Sequence, residues 1–550
     1  MKQNFAAVDE TLWVPDADQE SGFGCLETAR GRLPLAALDV RANVIGLTSH
    51  VTIRQTFRNA FDEPLEATYI FPLPDRAAVT SFKLRVAGRT VEGVLRERGE
   101  ARREYDQAIQ SGHRAAIGEE ERSGVFTMRV GNLPPHEEAT AELTLVGPLV
   151  YVDGEAEFRF PLVVAPRYAA GEPLDGPSVG AGTAADTDQV PDASRVTPPV
   201  LLPGFPNPVR LSLEVGIDLA GHSASRQAFR EKLRCSLHSA IEEQGADSCC
   251  LRLQPGERLN RDFVLRFPAS SETVEPILAA SPPKNEQPGV FALTVVPPRM
   301  NPDAQPKPRD VAFVLDRSGS MDGWKMVAAR RALGRMIDSL LDQDRFTVVA
   351  FDTVNEVLPA AEGAFINADD RGRWKALEWL GKIDARGGTD LAPALQLAAS
   401  SFQDSEPERE RIIVLVTDGQ VGGEDSVLRS FQKTVGKNMP RVFALGIDRA
   451  VNAGFLKRLA SLGDGACDLV ESEDRLDEVM DRVHRAIGLP ALTDVTLEPM
   501  GFDWVADSMS PSRIPDVFAG RPITIHGRFK GYANAKLFRG SDATGEAWEQ

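Results

Sequence analysis

Oxygen-bearing side chains recur at three separate places in the sequence. The first is a D-x-S-x-S pattern, and the others are a threonine within GGTD (387–390) and an aspartate within TDG (417–419). The side chains concerned are Asp316, Ser318, Ser320, Thr389 and Asp418. Two carboxylates and three hydroxyls, with no imidazole or thiol, form a hard oxygen set that suits Mg²⁺, Mn²⁺ or Ca²⁺ and does not suit zinc. The sequence therefore predicts a divalent-metal site built from these five residues.

Alternating strand and helix patterns surround these residues. Buried apolar strands are predicted at VAFVLD (311–316), RFTVVAFD (345–352), IIVLVTD (412–418) and RVFALGID (441–448). Amphipathic helices are predicted at 324–340, 370–381, 391–402, 426–435, 453–462 and 474–487. This alternation is typical of a mostly parallel sheet covered by helices on both faces, so residues 308–489 are predicted to form a doubly wound α/β (Rossmann-like) domain. Asp316 and Asp418 each end or follow a strand, at the carboxyl edge where such sheets bind ligands.

The charge of this predicted site indicates what it binds. Two carboxylates neutralise a divalent ion only when both are close, so an ion held partly through water stays electron-poor and accepts a further carboxylate. The pattern resembles the metal-ion-dependent adhesion site of von Willebrand factor type A domains, in which an Asp or Glu of a protein partner completes the coordination. The resemblance implies that all five residues belong to the site. Two neighbours are left out, because Asp352 is interpreted as a strand-end residue and Asp390 as the N-cap of the next helix.

The N-terminal part carries alternating strand patterns that one helix, between Glu97 and Ser111, interrupts. Four segments in order resemble the VIT domain of inter-alpha-trypsin inhibitor heavy chains: YIFPLP (69–74), REYDQAIQSGHRAAIGEE (103–120), VFTMRVGNLPP (125–135) and FRFPLVVAPRY (158–168). The resemblance implies a β-rich VIT domain over residues 25–168, which we expect to be a scaffold. Those heavy chains are linked to hyaluronan through a DPHF-type segment, which this sequence lacks, so that linkage is not carried over.

The remaining segments are predicted from composition and strand pattern. Residues 169–200 are rich in Gly, Ala, Asp and Pro and have the composition of a flexible or extended linker. Strand patterns then predict a second β-rich unit over 201–305. Strand patterns return over 490–550, which we expect to pack with that second unit around the inserted α/β domain. Because the pattern continues to Gln550, we expect the β region to be incomplete there.

Composition limits the partners. The chain has 62 Lys and Arg against 80 Asp and Glu, a net charge of −18 that opposes phosphate backbones, so nucleic acid is not an expected partner. No stretch approaches about 20 apolar residues and the N-terminus lacks a hydrophobic signal core, so we expect no membrane insertion and a cytoplasmic protein. The five cysteines show no CxxC spacing and are interpreted as reduced packing residues.

These observations favour a non-enzymatic adhesion or interaction protein that binds a partner carboxylate through its metal. The sequence has no GxxxxGK[ST] phosphate loop, and its seven histidines are scattered. Ser318 stands where a haloacid-dehalogenase-like phosphatase needs a second aspartate. Two alternatives stay open. One is an accessory subunit of an AAA-type ATPase, as in metal-chelatase assemblies, and the other is a metallohydrolase whose base the sequence does not identify.

Overall fold

A computed structural model describes most of the chain between Phe23 and Glu549. Shorter gaps of one to four residues occur throughout, and the longer stretches outside the described residues are 1–22, 163–168, 202–209, 219–228, 269–276, 296–306 and 484–491. The last predicted helix, 474–487, lies largely outside the described residues, and its beginning is a 3-10 turn at Glu473–Arg475.

The N-terminal strands alternate between buried and more exposed side chains, as a sheet with one face on a core requires. The strand Thr48–Arg58 shows this over its whole length, from Ser49 to Phe57. The strands are β1 (Phe23–Gly24), β2 (Leu26–Thr28), β3 (Gly31–Leu33), β4 (Leu35–Ile45), β5 (Thr48–Arg58), β6 (Leu65–Pro72), β7 (Ala78–Val86), β8 (Arg89–Glu92), β9 (Ala115–Arg122), β10 (Val125–Leu133), β11 (Glu138–Pro148), β12 (Val150–Val152) and β13 (Glu155–Phe160).

One helix, α1 (Arg98–Gln110), interrupts these strands, in agreement with the sequence pattern. It begins where the Glu97 carboxylate accepts hydrogen bonds from the N–H groups of Gly99 and Glu100, at 3.0 and 3.1 Å. It ends before Gly112, whose φ of +75° is a conformation that glycine adopts readily. Tyr105 is its buried residue and faces the sheet.

The strands that follow residue 200 join the N-terminal strands. They are β14 (Val200–Leu201), β15 (Arg210–Asp218), β16 (Arg234–Cys235), β17 (Ala240–Gln244), β18 (Ser248–Leu253), β19 (Phe263–Pro268), β20 (Ile277–Ser281) and β21 (Gly289–Val295). Strand β15 runs parallel to β4, which gives a sheet of order β17-β18-β15-β4-β5-β11-β7-β8. Strand β19 pairs with β13 in a sheet of order β12-β13-β19-β16. Two further sheets are present. One pairs β1 with β14, and the other has the strand order β3-β2-β6-β10-β9.

The separate β-unit predicted over 201–305 is therefore not what the structure shows. Val215 and Phe267 lie in the same buried core as Val40 and Leu143. Alternation in a sequence tells which face of a strand is buried, but it does not tell which distant strand is the partner. The sequence pattern therefore predicted the strands but assigned them to a separate unit, whereas β15 and β19 pair with N-terminal strands.

Part of the predicted linker is folded. We call residues 171–180 and 184–196 the bridging segment. An isolated β-bridge joins Pro173 to Thr187, and a short helix, α2 (Ala193–Val196), lies at its end. This differs from the flexible or extended connection that composition predicted. Its order comes from hydrogen bonds between side chains and nearby backbone groups, which leave no apolar period in the sequence.

The α/β domain contains a mostly parallel sheet with helices on both faces, as predicted. Its strands are β22 (Arg309–Asp316), β23 (Arg345–Phe351), β24 (Asn355–Val357), β25 (Ile366–Asn367), β26 (Glu410–Thr417), β27 (Arg441–Ile447) and β28 (Cys467–Val470). Its helices are α3 (Trp324–Asp338), α4 (Asp370–Leu380), α5 (Leu391–Ser400), α6 (Glu424–Val435) and α7 (Ala453–Leu462). The sheet order is β24-β23-β22-β26-β27-β28, with β25 on β23.

One core lies on each face of this sheet, the first around Leu333 and Phe346 and the second around Leu395 and Phe455. The first strand, β22, lies between β23 and β26, which pair with it in parallel. The strand order therefore reverses between β22 and β26, and sheets of this kind bind ligands at the carboxyl ends of the strands at such a point. The multidomain fold with a β-rich N-terminal part and a doubly wound domain is confirmed.

The C-terminal strands are β29 (Leu492–Trp504), β30 (Ile523–Asp542) and β31 (Ala547–Glu549). Strand β30 pairs with β21, so the sheet of order β20-β21-β30-β29 joins chain segments from before and after the α/β domain. A small core around Leu293 and Ile525 lies beneath it. In the described part of the chain, no helix has both the length and the apolar character that crossing a membrane requires.

Buried ion pairs join the α/β domain to the sheet that contains β13 and β19. The guanidinium of Arg266 lies 2.6 Å from a carboxylate oxygen of Glu471 and 2.6 Å from one of Glu157. Arg475 lies 3.5 Å from Glu155 across the same junction. Arg266 and Glu471 are almost inaccessible to solvent, so neither charge is compensated by water. Glu471 thus takes its closest cation from the other body, whereas Arg266 also pairs with Glu157 on its own sheet.

Candidate metal centre

Asp316 ends strand β22 and is completely buried. Its Oδ1 atom accepts a hydrogen bond from the N–H of Ser318 at 2.8 Å. Its Oδ2 atom accepts one from the hydroxyl of Thr417, the last residue of the neighbouring strand β26, at 2.5 Å. Two adjacent strands therefore fix the orientation of this carboxylate.

Ser318 and Ser320 lie in the loop between β22 and α3. A 3-10 turn over Gly319–Met321 curls this loop back, and the two hydroxyl oxygens come within 3.1 Å of each other. Ser318 is buried, and Ser320 is partly exposed. The turn thus places the Ser318 hydroxyl beside the carboxylate of Asp316 and the Ser320 hydroxyl beside that of Asp418.

Asp418 directly follows β26 and is also completely buried. Its Oδ1 atom accepts the N–H of Gln420 at 3.2 Å. Its Oδ2 atom has no hydrogen-bond partner among the described residues. The ammonium of Lys325, in the first turn of α3, lies 3.6 Å from this oxygen and 3.3 Å from a carboxylate oxygen of Asp448, which follows β27. Asp418 therefore carries one buried oxygen without a donor.

Thr389 lies on a loop between α4 and α5 that is attached to the D-x-S-x-S segment. The carbonyl oxygen of Gly387 accepts the N–H of Gly319 at 2.9 Å, and the N–H of Arg386 donates to the carbonyl of Arg317 at 2.6 Å. Gly387 has a φ of +70°, which other residues rarely adopt. Thr389 itself is buried. The structure thus brings the segments carrying all five predicted residues to one edge of the sheet.

Burial raises the pKa of both carboxyl groups. It raises the pKa of Asp316 to about 7, and the neighbouring charge of Asp418 adds to the effect. Burial also raises the pKa of Asp418, although the charge of Lys325 and a hydrogen bond from Ser320 oppose it. Two carboxylates withdrawn from water and facing each other require a compensating charge, which a divalent cation supplies. The donor set, and the Asp418 oxygen that accepts no hydrogen bond from the described residues, therefore fit such an ion.

Among the described residues, at the sheet edge as well as away from it, no group of three or more His, Cys, Asp or Glu side chains could hold a metal ion. The predicted ligands at the sheet edge are two carboxylates and three hydroxyls, so they do not form a group of this kind. A site made of imidazole or thiolate ligands, which zinc prefers, is not found among the described residues.

Sequence reasoning missed the ion pairs that hold the loops of the site together. Arg317, buried between Asp316 and Ser318, lies 3.0 Å from Asp352 and 2.9 Å from Glu356. Arg386 contacts the same two carboxylates, at 2.9 and 2.7 Å. Asp352, set aside as a strand-end residue, therefore anchors both the D-x-S-x-S loop and the Thr389 loop.

Asp390, Lys325 and Asp448 also lie near the site. Asp390 occupies the N-cap position of α5 as predicted, but its side chain makes no capping hydrogen bond, and burial raises its pKa. Lys325 and Asp448 were not predicted to lie near the site. Asp448 offered a signal, because it ends RVFALGID at the same carboxyl edge as Asp418. Lys325 offered little, since a lysine in the first turn of an amphipathic helix is normally exposed.

Two family comparisons match separate parts of the chain. Residues 35–145 match the Vault protein inter-alpha-trypsin domain, or VIT, and residues 309–468 match the von Willebrand factor type A domain. The chain is similar to von Willebrand factor A domain-containing protein 5A of Homo sapiens, with 25% identity over 95% of this chain and 65% of that protein. The chain spans less than two thirds of that relative. The predicted resemblance to proteins that combine these two domains is confirmed.

Solved structures also resemble parts of the chain. One is a von Willebrand factor type A protein from Catenulispora acidiphila, with a TM-score of 0.35, 22% identity, and coverage of 48% of this chain and 66% of that chain. Another is proximal thread matrix protein 1 from the mussel byssus, described with a zinc-occupied MIDAS motif, with a TM-score of 0.27, 18% identity, and coverage of 35% and 47%.

The prediction that this protein is not an enzyme is wrong. The chain is similar to protein mono-ADP-ribosyltransferase PARP4 of Mus musculus, with 24% identity over 92% of this chain. The match covers 24% of that protein, so the similarity extends to only part of that enzyme. The error came from treating the absence of a phosphate loop and of a histidine cluster as an exclusion of all catalysis.

Proposed function

We propose, on the premise that this chain joins a VIT domain to a von Willebrand factor type A domain, that it binds a protein partner through a divalent cation. The ion would be held by Asp316, Ser318, Ser320, Thr389 and Asp418. An Asp or Glu side chain of the partner would complete its coordination. Mg²⁺ is the ion we favour, with Mn²⁺ or Ca²⁺ as substitutes, because every donor is an oxygen.

The observation that carries this proposal is the pair of buried carboxylates. Asp316 and Asp418 are both inaccessible to solvent, and an oxygen of Asp418 has no hydrogen-bond donor among the described residues. An ionised carboxylate in such surroundings is costly unless it is paired or coordinates a metal. Lys325 supplies one positive charge, and it is shared with Asp448. The carboxylates of the cluster therefore carry more negative charge than Lys325 compensates, and a divalent cation would supply the rest.

The five residues would have two roles, which are to supply negative charge and to supply neutral ligands. The two aspartates supply the negative charge, and the hydrogen bonds to Asp316 from Ser318 and Thr417 keep its oxygens from turning away. The hydroxyls of Ser318, Ser320 and Thr389 are neutral donors, so they add ligands without adding charge. When bound, the ion would act as an electrophile that a partner carboxylate can approach.

The test is a pull-down by the immobilised full chain, done with Mg²⁺ and repeated with EDTA. Partners that depend on the site should be retained in Mg²⁺ and released by EDTA. They should be lost with Asp316→Ala and with Asp418→Ala. Asp342→Ala is the matched control, because that side chain is 92% exposed in the same domain, and it should behave as the wild type. Retention that persists in EDTA and in both site variants would refute the proposal.

A further inference from the structure

The bridging segment ends in a tight, internally bonded turn. The N–H of Thr187 donates to the carbonyl of Val190 at 3.0 Å, and the Thr187 hydroxyl accepts the N–H of Val190 at 2.9 Å. Asp186 accepts the N–H groups of Ser194 and Val179, each at 2.8 Å. Although burial would raise the pKa of Asp186, these hydrogen bonds outweigh it and the pKa is lowered. The turn is thus held by its own polar contacts and presents Val190.

Val190 is 3% exposed, and its side chain lies against Gly423 of the α/β domain. A Cβ atom built on Gly423 would lie 3.2 Å from Cγ2 of Val190 and 4.0 Å from the carbonyl oxygen of Gln189. Gly423 belongs to the loop that runs from Asp418 to helix α6. A side chain on Gly423 would therefore push against the turn, and glycine lets the turn approach closely.

The other side of the bridging segment contacts the VIT domain. Helix α2 lies against strand β9, which belongs to the sheet of β6 and β10. Ala193 and Ser194, the first residues of α2, are completely buried. The segment therefore touches the VIT domain through α2 and the loop beyond Asp418 through Val190, which lies just before α2.

That loop is the one that positions the two carboxylates. The N–H of Gly419 donates to the hydroxyl of Thr417 at 2.9 Å, and that hydroxyl donates to Asp316. The N–H of Gln420 donates to Asp418 itself. A displacement of residues 419–423 would therefore disturb hydrogen bonds at both aspartates.

We propose that the bridging segment is a latch that holds the loop of residues 418–423 in place and couples the metal site to the VIT domain. The metal-dependent part of this inference rests on the proposed function, whereas the packing of Val190 on the loop needs no metal. Coupling is reciprocal, so an ion that orders the carboxylates also steadies the bridging segment. The same packing transmits a disturbance of the VIT domain to the site.

The test is hydrogen exchange of the full chain, measured with and without Mg²⁺, for the wild type and two variants. Val190→Ser removes the packed side chain and leaves the turn's backbone bonds possible. Val179→Ser is the matched control, because Val179 lies in the same segment and is 51% exposed. Without metal, Val190→Ser should speed exchange in 418–423 by roughly tenfold, whereas Val179→Ser should leave it unchanged.

In the wild type, Mg²⁺ should slow exchange in 418–423 and also in 186–196. Val190→Ser should keep the first effect and lose the second. Equal exchange in the two variants would overturn the latch, and so would a wild type in which Mg²⁺ slows 418–423 but leaves 186–196 unchanged. If Mg²⁺ neither slows exchange at 418–423 nor raises the melting temperature, the proposed function fails and the metal coupling fails with it. The metal-free comparison of the two variants still decides whether the segment holds the loop.

Discussion

Replacing Asp316 with asparagine should stabilise the metal-free protein at neutral and alkaline pH. The amide fits the site, because its oxygen can still accept the N–H of Ser318 and its nitrogen can donate to the hydroxyl of Thr417. What the substitution removes is a negative charge that burial and Asp418 both disfavour. The expected gain can be worked out from the pKa of Asp316.

Since the pKa of Asp316 is raised to about 7, the folded protein holds a proton that the unfolded chain releases near pH 4. Unfolding therefore releases a proton between about pH 4 and pH 7, and wild-type stability falls as the pH rises through this window. The raised pKa corresponds to about 4 kcal/mol once the carboxyl is ionised. For a domain of this size, that is a difference of about 8–16 °C in melting temperature.

The assay is thermal unfolding in EDTA from about pH 5 to about pH 8.5, with Asp342→Asn as the surface control. The melting temperature of the wild type and of the control should fall with rising pH relative to Asp316→Asn. The site variant should therefore be the most stable of the three at the alkaline end. The electrostatic reasoning would be refuted if the two curves of melting temperature against pH ran parallel. It would also be refuted if the wild type became more stable relative to Asp316→Asn as the pH rose.

Two more substitutions test neighbouring parts of the structure. Lys325→Met removes the cation shared by Asp418 and Asp448. The metal-free protein should therefore lose stability at alkaline pH, and Mg²⁺ should bind severalfold more tightly. Unchanged or weaker Mg²⁺ binding in titration calorimetry would contradict this. Arg266→Ala removes the closest cation from the buried Glu471 and should cost about 3–5 kcal/mol in denaturant unfolding, whereas the exposed Arg252→Ala should change little. Equal effects of the two arginine variants would show that the buried junction is not holding the domains.

Local signals in the sequence were sufficient to predict the α/β domain. Apolar strands that end in an aspartate, such as VAFVLD and IIVLVTD, alternate with amphipathic helices, and this pattern sets both the sheet and the edge at which the side chains meet. The structure brings Asp316, Ser318, Ser320 and Asp418 together there, with Thr389 on an adjoining loop. Lys325 and the Arg317–Asp352 pair escaped prediction because their partners come from distant segments.

The β regions and the bridging segment were harder to predict for a different reason. The alternation in β15 shows that one face is buried, but nothing in it names β4 as its parallel neighbour. The bridging segment is polar and rich in Gly and Pro, which is also the composition of a flexible linker. Its fold depends on single contacts such as those of Asp186, which the sequence pattern does not express.

The binding of Mg²⁺ by the full chain tests the central claim most directly. A ligand that binds only the folded state stabilises it by about 2.7 kcal/mol at a hundredfold excess over its dissociation constant, or about 5–10 °C for this domain. The chelated wild type, melted with and without Mg²⁺ near pH 7.5 and compared with Asp316→Ala and Asp418→Ala, should show this rise, and each variant should abolish it. A melting temperature that Mg²⁺ and Mn²⁺ leave unchanged in the wild type, or raise equally in the two alanine variants, would contradict a metal site at these residues.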